Sequence, residues 1–79
     1  MKLPRDLTGL QLVKNLEVLG YRITRQTGSH IRVTTLQSGE HHLIVPAHSP
    51  LKTGTLSAIL NDVAQHFNLT RDELLSRLL

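Results

Sequence analysis

An α+β domain of order α-β-β-β-α, a three-stranded antiparallel sheet packed on two helices with a short helix at the C-terminal end, is predicted by three patterns. Apolar residues recur at helical spacing over residues 8–19 and again over 55–67. Between these stripes they alternate, with Tyr21 and Ile23 before one glycine-bearing turn, Ile31 and Val33 after it, and Leu43 and Val45 after the next. One layer of sheet laid against the helices buries both stripes and one sheet face.

Thr8 with Gln11 three residues later has the spacing of a capping box, and Leu10, Leu12, Val13, Leu16 and Leu19 supply the stripe of a first helix over 8–19. Lys14 and Glu17 point outward, and Gly20 supplies a left-handed stop. The next turn reads as a three-residue loop, Gln26-Thr27-Gly28, with glycine in the left-handed position. That register sets Arg25 opposite Ser29, Ile23 opposite Ile31 and Tyr21 opposite Val33. A slip of one residue would bury His30 and expose Ile31, so His30 is expected on the outer face, opposite Thr24 and beside Arg32. A second loop, Gln37-Ser38-Gly39, sets Val33 opposite Leu43 and Ile31 opposite Val45. The outer face then carries Arg22, Thr24, His30, Arg32, Thr34, His42 and Ile44.

Pro46 to Pro50 ends the third strand, since proline donates nothing to a ladder. Leu56, Ile59, Leu60, Val63 and Phe67 make the second stripe, a helix over 55–67 capped by Thr53 or Thr55 and stopped at Asn68. Thr70 with Glu73 forms a second capping box, opening a short helix that carries Leu74, Leu75, Leu78 and Leu79.

At 79 residues the chain is expected to form one domain, 1–79, with a small core and modest stability. One Phe, one Tyr and no Trp leave that core to Leu, Ile and Val and argue against recognition of single strands by aromatic stacking. The lack of cysteine removes disulfide and thiolate chemistry and fits a reducing compartment. No apolar run approaches the ~18 residues of a membrane span, and Met1-Lys2-Leu3-Pro4 is not followed by a signal-peptide core. A soluble, cytoplasmic protein with no membrane association is expected. Net charge is +3, with +4 in residues 1–53 and −1 in 54–79. The basic part coincides with the sheet, where either an anionic partner or a plain solvated face accounts for it.

Three groups invite a chemical reading. An unperturbed imidazole exchanges protons near neutrality, so an accessible His30 among Arg25, Arg32 and Lys52 has the means to take the proton of an RNA 2′-hydroxyl while the cations neutralise developing charge. A surface histidine in a polar turn fits the same residues. Lys52-Thr53-Gly54-Thr55 puts a lysine, hydroxyls and free amides at a helix start, a phosphate site or an ordinary capped terminus. His41 and His42, adjacent on a strand, point to opposite faces and do not chelate together. A site from His30, His42 and His48 lacks supporting Cys or carboxylates, so no metal and no cofactor is expected.

These residues resemble the HicA (YcfA-like) toxin family, the mRNA interferases of bacterial HicAB toxin–antitoxin pairs. The matching stretches are Leu3-Pro4-Arg5-Asp6, Leu19-Gly20-Tyr21, Gln26-x-Gly28-Ser29-His30-Ile31-Arg32, Val45-Pro46-x-His48 and Lys52-x-Gly54-Thr55-Leu56-x-x-Ile59-Leu60. The tail after Leu69 resembles the family only loosely. The resemblance implies a fold like the double-stranded RNA-binding domain and ribosome-independent RNA cleavage, with the histidine of a Gly-Ser-His motif, His30, catalytic. Gly28 and Ser29 would then shape the turn and hydrogen-bond phosphate, while Arg25, Arg32, Lys52 and Thr53 hold the RNA backbone. His48 is a candidate second proton carrier. A HicB-like antitoxin is the implied partner, in a hetero-oligomer that covers the active surface. A non-catalytic RNA-binding or antitoxin-docking module of the same fold is the alternative.

Overall fold

A computed structural model describes residues 6–79; the stretch Leu3-Pro4-Arg5 lies outside the described residues. The Thr8 hydroxyl accepts from Gln11 N and the Gln11 side chain accepts from Thr8 N, so the expected capping box opens α1 (Gly9–Leu16). The first helix is shorter than its stripe. It tightens into a 3₁₀ turn over Glu17–Leu19 before Gly20 takes a left-handed conformation. Leu12, Val13, Leu16 and Leu19 are buried, whereas Leu10 is exposed because it lies well round the helix from them.

The strands β1 (Arg22–Thr27), β2 (His30–Thr35) and β3 (His41–Pro46) form one antiparallel sheet in the order β1-β2-β3. The second connection has the expected register, with Val33 opposite Leu43 and Ile31 opposite Val45. The first does not. Thr27 pairs with His30, Gln26 with Ile31 and Arg25 with Arg32, around a two-residue Gly28-Ser29 turn. Gly28 has φ 56° and Ser29 is not left-handed, which suits a tight hairpin with glycine first.

Carried on unbroken, that register would put Ile23 on the outer face. A β-bulge prevents it: the ladder shifts between Ile23 and Arg25, so that Ile23 faces Val33 and Arg22 faces Thr34. His30 is therefore opposite Thr27 and not Thr24, and Ile23 opposite Val33 and not Ile31. Ile23 also fails as a core residue, at 53% exposed, and no residue of the edge strand β1 enters the core. The helical layer covers β2, β3 and Tyr21.

The second helix, α2 (Thr53–Phe67), begins two residues earlier than its stripe suggests. Lys52 is its N-cap and makes no side-chain capping bond, which corrects the expectation that Thr53 or Thr55 caps it. Asn68 ends it in a left-handed conformation, and the Thr70–Glu73 capping box opens α3 (Arg71–Leu78). Leu56, Ile59, Leu60, Val63, Leu74, Leu75 and Leu78 complete one core with Tyr21, Ile31, Val33, Leu43 and Val45. Leu79 is exposed. Among the described residues no helix is long and apolar enough to cross a membrane.

Candidate active site

Because strand side chains alternate, His30, Arg32 and Thr34 share the face of β2 opposite buried Ile31, Val33 and Thr35. His30 is exposed, as the burial argument requires. It opens onto a depression lined by Arg25, Thr27, His30, Arg32 and Ile44. Ile44, 54% exposed and cross-strand from Arg32, is the apolar wall.

The bulge determines which cations reach this depression. Two residues, Thr24 and Arg25, stand opposite Arg32, and in such a bulge both side chains turn to the same face. The three-residue loop expected from sequence would have sent Arg25 to the side of Ile23; instead Arg25 and Arg32 are direct cross-strand partners beside His30. Like charges directly opposite destabilise a sheet, so this pair favours an anion bound between them.

A chain of polar contacts runs along the same face. Arg32 Nε donates to Thr24 Oγ1 at 3.1 Å, Thr24 and Thr34 share a hydroxyl contact of 3.0 Å, Thr34 Oγ1 lies 2.7 Å from His42 Nδ1, and His42 Nε2 lies 2.9 Å from Glu40. Spacing of residues predicts the shared face; it carries no signal for the bulge that closes the chain.

The other expected site residues lie apart from the depression. Lys52 and Thr53 are exposed at the start of α2, and His48 is exposed between Pro46 and α2; none of the three lines it. Backbone bonds nevertheless tie their segment to the turn, since Ala47 N donates to Ser29 O at 2.6 Å and Gly9 N donates to His48 O at 2.9 Å. An added Cβ at Gly9 would fall onto the Pro46 carbonyl oxygen, so only glycine lets α1 approach this closely. Among the described residues no group of three His, Cys, Asp or Glu is placed to hold a metal ion, so His30, His42 and His48 do not form a site.

His41 points the other way, into the helical layer. An ionised Asp62 only accepts, so His41 Nε2–H donates to it at 3.1 Å, and the Tyr21 hydroxyl then donates to Nδ1 at 2.6 Å. His66 stacks on His41 with ring centroids 4.3 Å apart and gives its Nε2–H to the Gln37 carbonyl. These two contacts explain its place late in α2.

The fold and the site together define a small basic α+β domain that presents an imidazole and two guanidiniums on an open sheet face. The particular family follows from comparison with known proteins: the profile of the HicA toxin of bacterial toxin–antitoxin systems matches residues 9–64, and the chain belongs to that family. Comparison with curated proteins and with solved structures gave no match.

Proposed function

We propose that the chain is a metal-independent endoribonuclease, the toxin of a HicAB pair, in which His30 is the proton-transferring group. The HicA toxin family is generally one of RNases, and the observation that carries the assignment is the exposed His30 beside the cross-strand Arg25–Arg32 pair. His30 takes the proton of a ribose 2′-hydroxyl, the oxygen attacks the adjacent phosphorus, and the P–O5′ bond breaks with a proton delivered to the leaving oxygen. The guanidiniums stabilise the charge that builds on the phosphoryl oxygens. Gly28 and Ser29 shape the turn, and Lys52 and Thr53 hold RNA backbone further along; His48 is the candidate donor to the leaving oxygen.

A HicB-like antitoxin covering the basic face, with exposed Ile44 at its centre, is the partner this reading requires, in a hetero-oligomer working in the cytoplasm on mRNA. His30→Ala is expected to fold, to bind the antitoxin and to lose at least about 100-fold in RNA cleavage. Wild-type cleavage is expected to survive chelator. Cleavage that persists in His30→Ala overturns the assignment, and equal, salt-dependent RNA affinity in both proteins with cleavage by neither makes the chain a binding module.

A further inference from the structure

We infer that Thr24, the bulge residue, is a positioning residue that holds the Arg32 guanidinium for the phosphate beside His30, with Thr34, His42 and Glu40 behind it. The inference rests on the proposed RNA cleavage and adds residues to which that reading gave no role.

The direction of the bonds carries the argument. Arg32 only donates and an ionised Glu40 only accepts, and each hydroxyl between them accepts one proton and gives one. With the uncharged imidazole at His42, its Nε2–H given to Glu40, the chain runs one way: Arg32 Nε–H to Thr24, Thr24 O–H to Thr34 at 3.0 Å, Thr34 O–H to His42 Nδ1 at 2.7 Å, and His42 Nε2–H to Glu40 at 2.9 Å. The competing acceptor for the Thr24 proton, the Arg32 carbonyl oxygen, is farther away at 3.4 Å. Bonds aligned head to tail polarise one another, and here a cation stands at one end and a carboxylate at the other.

A guanidinium is a planar fork of five donors. With Nε committed to Thr24, its plane is fixed and the Nη edge is the part that meets phosphate oxygens. The need for such a hold is evident, because Arg25 stands directly across the strand and repels Arg32 when no anion lies between them. The bulge thus supplies both the second cation and the hydroxyl that steadies the first.

The test is single-turnover cleavage of a defined RNA by wild type, Thr24→Val, Thr24→Ser and Thr34→Val, each also in the Arg32→Ala background and each corrected for folded fraction by thermal melting. Thr24→Val is expected to lose about 10-fold, mainly in the rate at saturation and little in RNA affinity. Thr24→Ser should recover most of that loss, and Thr34→Val, one bond further back, should lose about 3-fold. In the Arg32→Ala background Thr24→Val should lose nothing more. Full activity in Thr24→Val, losses that add to those of Arg32→Ala, or failure of serine to rescue each overturns the inference. Exchange of the Arg32 Nε proton, followed by nitrogen-15 NMR, separates the two levels. A wild type that shields this proton but cuts no RNA overturns the nuclease reading alone, whereas rapid exchange in wild type overturns the positioning role whatever the cleavage result.

Discussion

His41 and His42 are neighbours in sequence, yet the sheet places them in opposite kinds of surroundings. His41 sits on the helical side, hydrogen-bonded to buried Tyr21 and to Asp62 and stacked on His66. His42 lies on the open side, at the far end of a chain of hydroxyls that leads to Arg32. Both rings bridge a hydroxyl and a carboxylate. On the buried side such a bridge contributes to stability, because breaking it leaves a polar atom away from water; on the open side water replaces whatever is lost, and the bridge can only orient.

The sharpest way to break this comparison is to remove each ring in turn. His41→Ala is expected to destabilise the fold by about 2 kcal/mol, since the Tyr21 hydroxyl loses its acceptor and His66 loses its stacking face, while His42→Ala should change stability by less than about 0.5 kcal/mol. Urea titration of the two variants measures both values, and equal losses would erase the distinction.

Tyr21 sharpens it further. Burial, with the Asp62 carboxylate adding to the effect, pushes its hydroxyl well above the ordinary tyrosine range. The folded protein keeps a proton that the unfolded chain loses at about pH 10, so stability is complete below that pH and falls as pH rises toward the folded value. Tyr21→Phe is expected to cost about 1 kcal/mol near neutrality and to flatten this alkaline decline, as melting temperatures between pH 8 and about 11 would reveal.

The smallest effect belongs to a site remote from both rings. Glu73 is held below the usual carboxylate range by its backbone bond at Thr70, helped by the Thr70 side chain and by Arg77. Its contribution is present above the unfolded value and disappears as pH falls through the folded one. Glu73→Gln should remove a slight acid slope from the melting curve and leave RNA cleavage as it was.

Local chemistry was legible where an element depends on residues close in sequence. Thr8 with Gln11, Thr70 with Glu73, the stop at Asn68 and the register of β2 against β3 all behave as their spacing indicates, although residues 36–40, five rather than three, separate those strands. The first hairpin is not legible in the same way, because its register depends on two features together. Gly28 suits either the last position of a three-residue loop or the first of a two-residue turn, and only the bulge at Thr24 reconciles the shorter turn with an inward Tyr21. Alternation at Tyr21 and Ile23 also misleads, because the helical layer covers β2, β3 and Tyr21 and leaves Ile23 in water, whereas β3, equally an edge strand, buries Leu43 and Val45. The face of His30 is legible because burying Ile31 and Val33 demands it under either register. The charge of Arg25 is plain in the sequence, but its approach to Arg32 depends on the bulge. The partners of His41, 20 and 21 residues away, have no local signature.

The crossing from Pro46 to α2 has a consequence for how this surface tolerates change. Its Ala47 amide clasps the carbonyl just before His30, while the carbonyl of His48 is gripped from beneath by the first turn of α1, and the Leu51 amide reaches Leu7 O at 2.8 Å. A residue inserted or deleted anywhere in that short overpass would tug on the imidazole without altering any group around it, so variation in loop length there should silence the protein as surely as a substitution in the depression itself.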